Sequence, residues 1–173
     1  MIPEQFKNQL NAFRVDPGTI DQLSKFAEII EVSNRSTLAI PGDYSNDVYY
    51  IIKGGFVCRY FDENLHMGKT VYFYLADVHH IMACLDSYFK GTKTSYELRA
   101  IMDSTVVRLR KEDLDKLLES DLNLFKLYNH ILVNGFLEEN LFLSKLISYT
   151  KEEFYNDLMN DYPEIIRDVP AKY

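Results

Sequence analysis

Between Glu31 and Leu109 the chain is written in short runs of β-branched and aromatic residues, each closed by turn residues. Thr37–Ile40 precedes Pro41-Gly42-Asp43, Val48–Ile52 precedes Lys53-Gly54-Gly55, and Phe56–Phe61 precedes Asp62-Glu63-Asn64. Thr70–Leu75 ends on Ala76-Asp77, and after a break around Lys90-Gly91 come Tyr96–Met102 and Thr105–Leu109. Runs of this kind at roughly 8–12-residue spacing predict an antiparallel sandwich or barrel. Most of them have no helix-length amphipathic segment between them, which argues against a parallel α/β sheet.

Helical periods flank this stretch. Phe6, Leu10 and Phe13 fall three to four residues apart before the Asp16-Pro17-Gly18 break. A second helix is predicted through Ile20, Leu23, Phe26 and Ile30, capped by Asp16 or Thr19. After Lys111, Leu114, Leu117 and Leu118 predict a short helix, with Ser120 or Asp121 capping the next. From Leu122 to about Ile147 there is no proline, and a single helix there would run about 39 Å at about 1.5 Å per residue.

That helix has two apolar faces. One carries Leu118, Leu122, Phe125, Leu132, Phe136 and Leu143; the other carries Leu124, Leu127, Ile131, Leu141 and Phe142. A barrel covers one such stripe, so the other needs a partner, and a second copy of the helix is the economical one. Leu124, Leu127, Ile131, Gly135, Leu141 and Phe142 are the candidate dimer contacts. Gly135 is included because close helix–helix approach would offset the roughly 1 kcal/mol a mid-helix glycine costs. Past Tyr149, Thr150-Lys151-Glu152-Glu153 reads as a new helix start, with a threonine cap and an acidic first turn.

Composition limits the function classes. With 173 residues, 47% apolar and 26% charged, the chain is long enough for one domain with a sizeable core and too apolar for disorder. No apolar run reaches the roughly 18 residues of a membrane span, and MIPEQFKNQL lacks the apolar stretch of a signal peptide. A cytoplasmic location without a membrane partner is therefore expected. A net charge of −7 makes the chain, taken alone, a poor partner for polyanions. Cys58 and Cys84 are the only cysteines and form no CxxC, so neither a disulfide framework nor a thiolate metal site is expected. His79 and His80, adjacent on a strand, would point to opposite faces; His66 in a turn and His130 on the long helix are far away in sequence. No metal and no cofactor are expected. No catalytic triad, phosphate loop or paired-carboxylate motif stands out, and pairs such as Glu112-Asp113 and Glu138-Glu139 read as solvated helix faces. An enzyme is not expected.

Three strings sharpen this outline. Asp47-Val-Tyr-Tyr-Ile-Ile-Lys-Gly-Gly55 resembles the glycine-turned hairpin of the cyclic-nucleotide-binding fold. Val107-Arg-Leu-Arg-Lys-Glu-Asp-Leu114 resembles that fold's last barrel strand running into its helix. Tyr162-Pro-Glu-Ile-Ile-Arg-Asp-Val-Pro-Ala-Lys-Tyr173 resembles the hinge leading into the winged helix-turn-helix of Crp/Fnr-type transcription regulators. The resemblance implies an α+β fold: an antiparallel β jelly-roll barrel with flanking short helices and a long C-terminal dimerisation helix. It divides the chain into an effector-sensing jelly-roll domain with its N-terminal helices at 1–118, the dimerisation helix at 119–149, and the start of a truncated winged helix-turn-helix domain at 150–173. It implies a homodimer that reaches DNA through a C-terminal domain absent from this sequence. The alternative is a stand-alone dimerisation or protein-interaction module without DNA binding.

The resemblance also tests the pocket. In nucleotide-binding members, a Gly-Glu pair is followed about ten residues later by Arg and then Ser or Ala. The Glu accepts from the ribose 2′-hydroxyl, the Arg pairs with the cyclic phosphate, and N–H groups at a short helix start cradle its oxygens. Here the Gly and Glu positions fall on His80 and Ile81, and the Arg position falls on Thr94 with Ser95 after it. The polar pair that the long helix lends to the base lands near Glu139 and Asn140. The candidate pocket is therefore His80, Ile81, Met82, Thr94, Ser95, Glu139 and Asn140, with His79, Cys84 and Tyr96 beside it. Losing each charge-assisted contact costs about 1.5–3 kcal/mol. Neither cAMP nor cGMP is an expected ligand; an unidentified small-molecule effector, or a pocket filled by its own side chains, remains.

Overall fold

A computed structural model of the chain describes residues 2–61, 68–163, 167 and 169. Helix α1 (Glu4–Ala12) buries Phe6 and Leu10, and α2 (Pro17–Phe26) buries Leu23. Asp16 caps α2, accepting from the N–H groups of Gly18 at 2.8 Å and Thr19 at 3.4 Å, with Pro17 as the first helical residue. The second helix stops at Phe26 and does not run to Ile30. Glu28–Val32 is instead strand β1, in antiparallel register with Ser104–Arg110. Ile29-Ile30 fits either period, and the ladder that a neighbouring strand offers satisfies more backbone groups than a last helical turn would.

Then follow β2 (Thr37–Ala39), β3 (Asp47–Lys53), β4 (Gly55–Phe61), β5 (Gly68–Leu75), β6 (Ile81–Met82), α3 (Leu85–Lys90), β7 (Tyr96–Ala100) and β8 (Ser104–Arg110). The strands form two four-stranded antiparallel sheets, ordered β1-β8-β3-β6 and β2-β7-β4-β5. The expected α+β jelly roll is the fold found. Helix α3 fills what the sequence shows only as a break near Lys90-Gly91; Gly91, at φ 64°, ends it. Because β3 and β4 lie in different sheets, Lys53-Gly54-Gly55 turns a corner between sheets and closes no hairpin. Gly54 has φ +90°, and a Cβ there would come 2.7 Å from the Cα of Ser104. No other residue fits that corner without strain.

The strands β3 and β8 each face two cores. Tyr49, Ile51 and Val106 point into the barrel with Phe56 and Leu98. Tyr50, Val107 and Leu109 point outward, onto a helical layer built from α1, α2, α4 (Lys111–Ser120) and the first turns of α5 (Leu122–Ser148). This layer decides which apolar face of α5 is inward. Leu124 and Leu127 are each 3% exposed within the chain's own core, with Ile131 packed against it. Leu124 and Leu127, expected at a dimer interface, are thus spent inside the chain. The opposite face stays open, with Leu122 at 66% and Phe136 at 65% exposure. Gly135 has no atom within 4 Å of where a Cβ would stand, so no close approach within the chain explains it.

The start of α5 is fixed by a buried carboxylate. Asp121 accepts from the N–H groups of Asn123 at 2.8 Å and Leu124 at 3.0 Å, and across the fold from the N–H of Asp16 at 2.9 Å. After α5, Thr150 and Glu153 form a reciprocal capping box that starts α6 (Lys151–Asp161), as the acidic first turn predicts. Helix α6 folds back along α5, where Lys145 Nζ reaches Asp157 at 2.7 Å and Asp161 at 3.2 Å. The turn Asp62-Glu63-Asn64, His66 and most of the string after Pro163 lie outside the described residues.

Gly54→Ala is expected to cost about 2–3 kcal/mol, combining a positive φ with the Ser104 clash, as read by urea denaturation. Asp121→Ala is expected to cost about 2 kcal/mol at neutral pH. Burial pushes the Asp121 pKa up, but hydrogen bonds from Leu124, Asp16, Thr19 and Asn123 outweigh it and hold it below the usual aspartate value. Its stabilisation is therefore complete above about pH 4, the unfolded value, and is lost as pH falls through the lower native value. Urea titrations at pH 7 and pH 3 should show the gap between wild type and Asp121→Ala closing on the acid side.

Candidate functional site

Tyr72 and Tyr74, two residues apart on the edge strand β5, share one side of the sheet and lean on each other with ring centroids 4.9 Å apart. They form the floor of a half-open cavity of about 840 Å³ bounded by α3, the second half of α5, and α6. Cys58 and Tyr96 continue the floor, while Phe142, Phe154, Leu158 and Tyr162 form the roof. Phe142 stands 6.5 Å from Tyr72 and 5.4 Å from Phe154, ring to ring, so the roof touches the floor at one end. A volume of this order holds a small organic molecule. Burial pushes the Cys58 thiol up to about 12, with Cys84, Asp86 and Glu139 adding to it, so it is no nucleophile at neutral pH.

Asp86 sits in the first turn of α3, where the helix dipole favours an anion. One of its oxygens accepts from the N–H of Ser87 and the hydroxyl of Thr94, both at 2.8 Å; the other accepts from the N–H of Ser95 at 2.8 Å. The helix start, Thr94 and Ser95 are the groups that the sequence resemblance assigns to a cyclic phosphate. Here a side-chain carboxylate of the chain itself accepts from the Thr94 hydroxyl, the Ser95 N–H and one N–H of the helix start, that of Ser87.

His79 ties the cavity's walls together. Its backbone is left-handed at φ 54°. Its Nδ1 lies 3.2 Å from Glu138 Oε2 on α5, and its ring stands 5.0 Å from Tyr72 and 5.6 Å from Tyr162. Burial lowers its pKa while Glu138 opposes the shift, so the imidazole is neutral at physiological pH.

No protein-family model matches the sequence, and no curated protein matches it. Solved structures do. A c-di-GMP responsive global regulator of Xanthomonas campestris aligns at TM-score 0.62 and 15% identity, over 90% of this chain and 74% of that one. A cyclic nucleotide-binding domain from Methylobacillus flagellatus aligns at 0.62 and 14%, over 82% and 84%. The catabolite activator protein of Thermus thermophilus aligns at 0.59 and 15%, over 75% of this chain and 59% of that one. The fold is that of the cyclic-nucleotide-binding domains.

Within this cyclic-nucleotide-binding fold, the candidate residues divide. Glu139 lines the cavity, as do His79 and Tyr96. His80 leans on Tyr50 with ring centroids 4.8 Å apart and tilted, and Ile81 packs on the helical layer, neither lining the cavity. Met82, 1% exposed, fills the barrel core, and Thr94 and Ser95 are engaged by Asp86. Asn140 turns outward, donating to the carbonyl of Phe136 at 2.8 Å. Leu141 is 56% exposed, and Phe142, expected at a dimer interface, roofs the cavity. Glu138 and Glu139 are exposed, as a solvated face would be, and also border the cavity. Sequence reasoning missed Tyr72, Tyr74, Asp86 and Tyr162; the period of two along β5 was the available signal for the tyrosines. Among the described residues no group of His, Cys, Asp and Glu could hold a metal ion.

Asparagine tolerates a left-handed backbone and valine does not. His79→Asn should therefore stay within about 1 kcal/mol of wild type, and His79→Val should cost about 2–3 kcal/mol, in thermal melts at pH 7.

Proposed function

We propose that the chain is the effector-sensing and dimerising part of a Crp/Fnr-type transcription regulator that acts in the cytoplasm, answers to neither cAMP nor cGMP, and is not an enzyme. DNA is read, in this proposal, by a further C-terminal domain. The Asp86 carboxylate carries the effector half of the reading: three donors of that region, the N–H groups of Ser87 and Ser95 and the Thr94 hydroxyl, are already bonded to an anion. A phosphate brought there meets like charge, and Thr94 supplies no cation to offset it. The loss of both the acidic and the basic contact, at about 1.5–3 kcal/mol each, removes most of the affinity such a ligand would have.

Dimerisation is supported by the outer face of α5, where Leu122, Phe125, Phe136 and Ile147 are exposed, with Leu143, also exposed, at its border with the cavity. Leu122, Phe136 and Leu143 recur at multiples of seven residues, the spacing of a two-helix seam. An apolar stripe of this length on a water-facing helix marks an interaction surface. The same stripe supports a stand-alone dimerisation module without DNA binding, so the two readings part only on DNA.

Calorimetry with cAMP and with cGMP should give no binding heat; a micromolar 1:1 complex per protomer overturns the ligand half. The product of the complete gene should enrich a two-fold-symmetric site from random duplexes and sediment as a dimer, and Phe136→Glu with Leu143→Glu should make it monomeric. A dimer that enriches no DNA sequence establishes the interaction module instead.

A further inference from the structure

Among the described residues, three carboxylates border the cavity: Asp86, Glu138 and Glu139. Asp86 is saturated by its donors, and Glu138 faces His79. Glu139 differs. It is solvent-exposed at the cavity's rim, no described residue donates to it or pairs with it, and the partial burial of its carboxyl pushes its pKa up. Its charge nevertheless reaches across the cavity: beyond burial, it helps raise the pKa of Tyr72, Tyr74, Tyr96 and Cys58. Glu139 therefore stands over a floor of phenol rings, with Phe142 beside it in the roof. Tyr74, half-buried in that floor, makes no side-chain hydrogen bond among the described residues. The one lysine of the lining among the described residues, Lys90, is exposed in the last turn of α3.

We infer that this cavity binds an organic cation, an amine or quaternary ammonium carried on an apolar or aromatic body. Ring faces carry negative potential and attract a cation, most strongly where water is partly displaced. The unpaired Glu139 carboxylate adds Coulomb attraction in a setting less polar than bulk water. The apolar walls take the body of the ligand by burial, and Tyr74 offers it a hydrogen bond. An anion of the same shape gains the burial and loses the electrostatics. The inference deepens the reading of the barrel as a sensor, and it requires neither DNA binding nor dimerisation to hold.

The test is a series on one naphthylmethyl body bearing trimethylammonium, hydroxyl or sulfonate, titrated into the protein by fluorescence and calorimetry. The ammonium should bind at least about tenfold more tightly than the alcohol, and the sulfonate more weakly than both; tenfold is about 1.4 kcal/mol. Glu139→Gln should erase most of the ammonium's advantage, and Phe142→Ala should weaken all three probes. Melting curves of both variants confirm that they fold. Equal binding of ammonium and sulfonate, a Glu139→Gln variant that keeps the preference, or no binding by any probe overturns the inference. None of these results touches DNA selection or the cAMP titration, so the sensor-regulator reading stands or falls separately.

Discussion

The Asp121 carboxylate accepts backbone N–H groups from two distant parts of the chain, the first turn of α5 and the residue that caps α2. One buried anion thereby sets where the long helix begins and how the N-terminal helices lie against it. Helix α5 is 27 residues long, so a small tilt at its first turn becomes a displacement of several ångströms at its far end. The cavity sits at that far end. Glu138, Glu139 and Phe142 reach the barrel only because the helix leaves its cap in one direction, and α6 is held by Lys145 still further along.

Much of this architecture is legible in the sequence for plain reasons. Val48 to Ile52 and Thr105 to Leu109 alternate between two apolar environments, and the turn residues between runs leave little choice but a barrel. The α5 span, the Asp121 cap and the Thr150 capping box are equally direct. What failed is instructive. Ile29-Ile30 continues a helical period as well as it starts a strand, and a period alone does not choose. Helix α3 is six residues long, too short to show a period at all. The two stripes on α5 were both visible, but spacing says how residues line up and not what they face. The N-terminal helices, docked on its first turns, claim Leu124 and Leu127 and leave the other stripe outside.

The site shows the same division. The resemblance points to Thr94 in place of an arginine, followed by Ser95, and the structure brings both onto Asp86. That contact was not legible, because Asp86 lies eight residues before Thr94 and has meaning only once α3 folds back to present it. The result is more than a lost contact. In the function proposed above, an empty phosphate cradle would keep some attraction for anions, whereas one occupied by a carboxylate would repel them. The cavity beside Asp86 is lined by aromatic and acidic side chains.

Strand β3 has a further consequence. Tyr50 belongs to the core beneath the helices, while Tyr49 and Ile51 on either side of it belong to the core inside the barrel. Strand β8 straddles the same divide with Val106 and Val107. The helical layer therefore cannot melt away and leave an intact barrel, because lifting it exposes one face of the strands whose other face fills the barrel. The two cores share a party wall, and heat should remove them together in a single cooperative step.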